Sequence, residues 1–228
     1  MSMLQNLSQI VTAIGGLGTA AFGLVDSTKP FFGGVNRIGF GRIAAAVTKL
    51  TPGAPAAGLT QGKILDTLKA NWYNGTDLSS QKSIAKTLIK QGLNAANAAD
   101  LAKVAGVDAT VLQSVATKIA SGTPLAANES DVYSRLDFIL TALLDEVYQA
   151  SDQAYTNGTR VVASFFAVAL SIAGGWTLHS GPPRYLWSHD MGLAFIAGLL
   201  ATPLAPIAKN LSSALATAVS TMQTIKKS

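Results

Sequence analysis

The chain has 228 residues, of which 13% are charged and 49% hydrophobic, and its mean hydropathy is +0.33. Soluble domains carry about 25% charged residues, so a single soluble fold of this size would have too little charge to cover its surface. Cysteine is absent, which excludes disulfide scaffolds, thiolate metal sites and cysteine nucleophiles. The excess of five positive charges suits either nucleic acid binding or the cytoplasmic flank of a membrane protein.

Residues 1–25 carry no charged side chain and form the first predicted membrane segment. Their larger apolar residues recur at the spacing of one helix face: Leu7, Ile10, Val11, Ile14 and Leu17. Polar residues occupy much of the other face, and four glycines lower the helix propensity. The segment therefore either crosses a bilayer against other helices or lies in the plane of the interface, and we expect it to cross.

Residues 26–158 are predicted to form a soluble helical domain, because no alternating pattern indicates a strand of any length. Helices are expected near 60–72, 80–93, 97–106 and 108–120, with Asn-Gly and Ser-Gly steps between them as turns. A long amphipathic helix is expected over 131–156, with one apolar face: Tyr133, Leu136, Leu140, Leu143, Leu144 and Val147. The sequence "TNGT" at 156–159 is expected to interrupt it before the next membrane segment.

Residues 100–125, "DLAKVAGVDATVLQSVATKIASGTPL", resemble the helix-turn-helix of phage-repressor-like proteins. In that family the second helix enters the major groove of DNA. Here the second helix opens on Asp108 and has a single basic residue, Lys118, so it is poor in the cations that neutralise phosphates. We expect a structural helix-turn-helix and no nucleic acid partner, and we keep a membrane-tethered DNA-binding regulator as an alternative.

Residues 159–209 are predicted to form a transmembrane helical hairpin. Val161–Leu178 and Met191–Ala208 each contain 18 residues without a charge. Eighteen helical residues extend about 27 Å, close to the ~30 Å thickness of bilayer hydrocarbon. Between them, "HSGPPRYLWSHD" contains a Gly-Pro-Pro step that cannot continue a helix. The tip of the hairpin is expected at headgroup depth, anchored by Trp176, Tyr185 and Trp187. Residues 210–228 are expected to form an amphipathic C-terminal tail.

Small residues recur at helical spacing in both arms of the hairpin. They are Ala163, Ala167, Ser171 and Gly175 in the first arm, and Ala194, Gly198 and Ala201 in the second. Such faces let helix backbones approach closely in lipid, where helices gain nothing by hiding apolar surface from water. The pattern predicts close packing within the hairpin or between subunits of an oligomer.

Catalytic, cofactor and metal sites are not expected. His179 and His189 have no further ligands at a recognisable spacing, and we interpret them as residues of the headgroup layer. The predicted spans contain no charged residue, although such residues mark ion and proton pathways. An enzyme or an ion-coupled transporter is therefore disfavoured.

The charge distribution predicts the orientation in the membrane. Residues 26–160 contain 13 of the 17 Lys and Arg, and the C-terminal tail contributes Lys209, Lys226 and Lys227. The hairpin tip has only Arg184. With three spans the long loop and the tail lie on one side, which the positive-inside tendency makes cytoplasmic. The expected location is the inner membrane of a bacterium.

The segment "LLATPLAPIAKNLSSALATAVS" follows a hairpin that contains tryptophan, and it resembles the end of a group of uncharacterised bacterial membrane proteins. The resemblance covers residues 131–215. It implies one N-terminal span, a helical cytoplasmic region and a C-terminal hairpin that closes on a "GAPFWFDLL"-like segment. This chain has Leu204-Ala205-Pro206-Ile207-Ala208 where that group has aromatic residues, which puts a shared binding surface there in doubt.

The expected fold class is all-α: an integral membrane protein with about three transmembrane helices and a helical soluble domain. The expected function is non-enzymatic, that of a self-associating scaffold or an accessory subunit of a bacterial inner-membrane assembly, whose partners are the lipid bilayer and further copies of the chain. The first alternative is a pore formed by an oligomer, because Gln9, Thr12 and the glycine face of the first segment could line a ring of subunits.

Overall fold

The computed structural model of the protein describes residues 3–29, 33–53, 58–178 and 185–206. Every regular element in these ranges is helical, so the predicted all-α fold class is confirmed. The helices are α1 (Met3–Ser27), α2 (Arg37–Leu50), α3 (Gln61–Tyr73), α4 (Leu78–Gly92), α5 (Ala98–Ala105), α6 (Ala109–Ser121), α7 (Ala127–Leu178) and α8 (189–206).

The chain divides into two compact units. The first, here called the terminal unit, comprises Met1–Val35 and Thr156–Ser228, and the second, the inserted domain, comprises Asn36–Tyr155. The first predicted membrane segment and the predicted hairpin thus belong to the same unit, and the boundary at residue 155 falls within α7. The predicted C-terminal tail, 210–228, lies outside the described residues.

The core of the inserted domain is built on one face of α7. Leu136, Leu140, Leu144 and Tyr148 recur every four residues and are fully buried. They pack with buried residues that the other five helices of this domain contribute: Ile43, Val47, Ile64, Leu68, Ala85, Ile89, Leu101, Ala102, Leu112 and Val115. Burying a large aliphatic side chain stabilises a fold by roughly 1.5–3 kcal/mol, so this face holds the domain together.

Local capping signals explain where three of these helices begin. The side chains of Thr60, Asp77 and Asp108 accept hydrogen bonds from backbone N–H groups in the first turns of α3, α4 and α6, at 3.2, 2.9 and 2.8 Å. Such caps satisfy donors that have no partner inside the helix. The four helices predicted between residues 60 and 120 accordingly lie within two residues of their expected bounds.

The predicted interruption at "TNGT" is wrong, because residues 156–159 lie inside α7. A glycine in a helix costs about 1 kcal/mol relative to alanine, and asparagine is also a weak helix former. Helix extension is cooperative, however, and long helical stretches precede and follow these four residues. The local weakness at Asn157 and Gly158 is therefore not enough to end the helix.

A row of lysines on α4 pairs with carboxylates on α7. Lys86 and Lys90 contact the two oxygens of Asp137 at 3.0 and 2.8 Å, and Lys82 pairs with Asp145. The Lys90 ammonium also lies 4.5 Å from the centre of the Tyr133 ring. The hydrogen bond from Lys90, together with that from Lys86, holds the pKa of Asp137 below its usual range. The charges of α4 are thus used within the domain.

Candidate functional site

Two described helices are long and apolar enough to cross a membrane by length and composition. They are α1, over Gln9–Ser27, and α7. In the apolar 18-residue stretch of each helix, only 22% of the residues of α1 and 11% of those of α7 are buried. The core helix of a soluble protein, in contrast, is mostly buried. The third predicted span, Met191–Ala208, is described only as far as residue 206 and is not one of these two.

The terminal unit exposes many large apolar side chains. On α7, Val161 and Phe165 are each 70% exposed. Others on the three helices of this unit are Ile10, Leu24, Leu170, Leu178, Leu193, Phe195, Ile196, Leu199 and Leu200. Single exposed apolar residues are common on soluble proteins, but an accumulation of this kind marks a surface that contacts a membrane or another protein.

Charged residues of the terminal unit lie next to the apolar stretches and not within them. Among its described residues, Asp26 and Lys29 follow the uncharged part of α1, Arg160 precedes that of α7, and Asp190 precedes that of α8. Asp26 and Lys29 form an ion pair at 2.7 Å. Each of the three helices therefore has an uninterrupted apolar stretch, with a charged residue next to one end of that stretch among the described residues.

Small residues make the contacts between the three helices of the terminal unit. A side chain at Gly198 of α8 would place its Cβ 2.5 Å from the Cα of Val168 on α7, and a Cβ at Gly18 of α1 would collide with the carbonyl of Ala201 on α8. Since real Cβ atoms do not approach backbone this closely, the helices can adopt this spacing only with glycine at both positions.

Ala21, Ala167 and Ala201 are fully buried and form a shared cluster, with Ile14, Leu17 and Phe166 packed around it.

The predicted packing residues differ from one another in their burial. Ala163, Ala167, Gly198 and Ala201 are buried, whereas Ser171, Gly175 and Ala194 are partly exposed. The contacts of Ala167, Gly198 and Ala201 described above are made within one chain.

Two residues of α1, Gly18 and Ala21, belong to the same packing and were not singled out from the sequence. The spacing rule applied to the hairpin would have found them, because Gly15, Gly18 and Ala21 recur every three residues and are all buried.

The three aromatic residues that were predicted to lie at the membrane interface also differ in their exposure. Trp176 and Trp187 are exposed, Trp187 by 93%. Tyr185 is fully buried, and its hydroxyl end lies against Gly175, which leaves room for the ring. His189 is exposed, while His179 and the Gly-Pro-Pro-Arg stretch at 181–184 lie outside the described residues.

Helices α5 and α6 are joined by a short turn. Gly106 ends α5 in the left-handed conformation at φ 63°, and α6 begins three residues later. The single basic residue of α6, Lys118, pairs at 2.7 Å with the buried carboxylate of Glu129 on α7. Hydrogen bonds from Lys118 and Ser114 lower the pKa of Glu129 to about 2. Because Lys118 is held in this way, α6 presents no further cation to a phosphate.

A cavity of about 210 Å³ lies between α4 and α7 in the inserted domain. Two of its charged lining residues, Lys82 and Asp145, are paired with each other, and a third, Lys86, is paired with Asp137. The charged side chains that line the cavity are thus already engaged in ion pairs within the domain.

No protein-family model, curated protein or solved structure matches the chain. The family resemblance over residues 131–215 therefore stays a prediction. The exposed apolar surface and the small-residue packing of the terminal unit are the features from which a function can be proposed.

Replacing Gly198 by alanine should destabilise the terminal unit. The new Cβ would meet the backbone of α7, and overpacking of this kind costs about 1–3 kcal/mol. We expect a lower Tm for Gly198→Ala in thermal unfolding of the detergent-solubilised chain, by about 2–4 °C for each kcal/mol lost. Gly192→Ala is the matched control on the same helix, because nothing lies within 4 Å of its Cβ position. It should leave the Tm unchanged or raise it, and equal effects of the two variants would contradict the packing described.

Proposed function

We propose that the protein is an integral membrane protein whose terminal unit lies in the bilayer. Its three spans would be residues 1–25, residues 161–178 of α7, and residues 191–208, which include most of α8. The inserted domain would lie on the cytoplasmic side of a bacterial inner membrane. A structural role suits this arrangement: a scaffold or an accessory subunit that associates with further copies of itself.

The observation that carries this proposal is a change of pattern along α7. In the inserted domain most of its buried positions are large, as at Leu140 and Leu144, and its exposed positions include charged residues such as Glu146. In the terminal unit its buried positions are Ala163 and Ala167, and Val161 and Phe165 are exposed. Small residues inside and large apolar residues outside are what a lipid environment favours, since packing and not the hydrophobic effect joins helices there.

The order of the helices supports a single side for the inserted domain. Residues 36–155 lie between α1 and the part of α7 in the terminal unit. If each of these helices crosses the bilayer once, the domain must enter and leave on the same face. The 13 Lys and Arg between residues 26 and 160 favour the cytoplasmic face.

Self-association is supported by the outer face of α1. Ala13, Gly16, Ala20 and Gly23 are exposed and recur at intervals of three and four residues. No atom of the described residues lies within 4 Å of a Cβ at Gly16 or Gly23, so this face is flat and open in the described part of the chain. A second helix could approach it closely in lipid. Gln9 and Thr12 are also exposed on α1, which keeps a pore as the second candidate; ion flux through reconstituted liposomes would distinguish the two.

Single cysteines should report the proposed topology, because the chain contains none of its own. Ser134→Cys in the inserted domain should react with a membrane-impermeant thiol reagent only after the inner membrane is opened. Ser180→Cys at the hairpin tip should react in intact spheroplasts. Labelling of both positions in intact spheroplasts, or of neither, would rule out the proposed topology.

A leucine on the open face of α1 should weaken self-association. The larger side chain of Ala20→Leu would hold a second copy away, and we expect the dissociation constant to rise at least about tenfold, equivalent to 1.4 kcal/mol. Ala169→Leu makes the same change at an exposed position of α7 and should have little effect. Native mass spectrometry over a range of protein concentrations measures both. A wild-type chain that stays monomeric throughout would refute the self-association.

A further inference from the structure

The segment that follows α1 is basic throughout. Between Asp26 and Asp66 the chain has five Lys and Arg and no Asp or Glu. This stretch therefore contains 5 of the 17 cations of the protein and none of its 12 acidic residues. Such an imbalance directly after a membrane-length helix is a feature of segments that contact anionic lipids.

The cations of α2 point away from the core of the inserted domain. Ile43, Val47 and Leu50 are buried in that core, whereas Arg42 and Lys49 are exposed. Arg42 and Lys49 are seven residues apart, so they lie on one side of the helix, two turns from each other. Arg37, at the start of the helix, is exposed as well.

Contacts at the start of α2 fix this arrangement. Trp72 donates a hydrogen bond from its indole nitrogen to the carbonyl of Asn36 at 2.7 Å, and the Asn36 amide donates to the carbonyl of Tyr73 at 3.1 Å. The kink that follows needs Gly39 at φ 93°, where a Cβ would lie 2.5 Å from the carbonyl oxygen of Ser151. Held by these contacts and by its buried face, α2 keeps its cations at the surface of the domain.

The charges of these three residues are not neutralised within the described part of the chain. The ion pairs of the inserted domain there involve Lys82, Lys86, Lys90 and Lys118, and none includes Arg37, Arg42 or Lys49. The lysines of α4 thus form ion pairs within the inserted domain, whereas the cations of α2 are available to an external anionic partner.

We propose that Arg37, Arg42 and Lys49, here called the α2 cationic surface, bind the anionic headgroups of the membrane in which the protein is embedded. This inference rests on the proposed function. Nine residues lie between Ser27, at the end of α1, and Arg37, and the ten chain steps that join the two extend at most about 35 Å. With α1 in the bilayer, Arg37 therefore stays within that distance of the end of α1, and each cation near a lipid surface strengthens the association about fivefold.

The test uses the full chain reconstituted into vesicles. A fluorescent donor is attached at Ala45→Cys, an exposed position of α2 between Arg42 and Lys49, and an acceptor is carried on lipid headgroups. Energy transfer should be higher in vesicles that contain phosphatidylglycerol than in vesicles of phosphatidylcholine alone. Added salt should remove the difference, because it screens the charges.

Two triple variants distinguish lipid binding by the α2 cationic surface from a general effect of the positive charge of the domain. Arg37→Gln, Arg42→Gln and Lys49→Gln together should abolish the dependence on phosphatidylglycerol. The control variant combines Lys69→Gln, Lys103→Gln and Arg135→Gln, which remove the same amount of charge from exposed positions on α3, α5 and α7. This variant should keep the dependence on phosphatidylglycerol.

An equal loss in both variants, or equal transfer in the two kinds of vesicle, would overturn the inference. If instead the wild-type chain can be washed from the vesicles with alkaline buffer, it is the proposed function that fails.

Discussion

The approach of three helix backbones through glycine and alanine is the constraint on which the terminal unit depends. Gly18, Gly198 and Ala167 leave no room for larger side chains between α1, α7 and α8. The cluster that the three helices share consists of alanine methyl groups, and many of the large apolar side chains of these helices face outward. Removing each such side chain from water is worth roughly 1.5–3 kcal/mol, and in water the unit forgoes this stabilisation, which is a cost relative to an apolar medium. An apolar medium removes that cost, and the same close packing then stabilises the unit.

The inserted domain follows the rules of a soluble protein. Its large aliphatic residues are inside, and acidic residues on α7 pair with lysines on α4. Because α7 belongs to both units, the patterns of buried and exposed residues in the two units can be compared along one α-helix. Its buried positions change from leucine to alanine at about the same point in the chain at which its exposed positions lose their charges. The proposed lipid environment of its second half accounts for this change.

Sequence reasoning was most successful where structure is determined locally. The four helices between residues 60 and 120 lie within two residues of their predicted bounds, and the spacing of Leu136, Leu140 and Leu144 identifies the buried face of α7. It failed at Asn157 and Gly158, where a local turn signal is outweighed by the cooperativity of a long helix.

The candidate site was predicted only in part, because its contacts join residues far apart in the chain. The spacing of small residues marks the faces of α7 and α8 that can pack, but it does not say which helix covers them. Gly18 and Ala21 of α1 were read only as a lower helix propensity and as part of an apolar segment, although they contribute to that packing. The burial of Tyr185 depends in the same way on the open space beside Gly175.

The account as a whole depends on the medium around the terminal unit. The most direct measurement is the fate of the full chain when cells are lysed and the membranes are washed with alkaline carbonate. The protein should stay in the membrane pellet and be released only by detergent. Recovery of the folded chain in the supernatant of detergent-free buffer would contradict the account, because the exposed apolar side chains of the terminal unit would then be compatible with water.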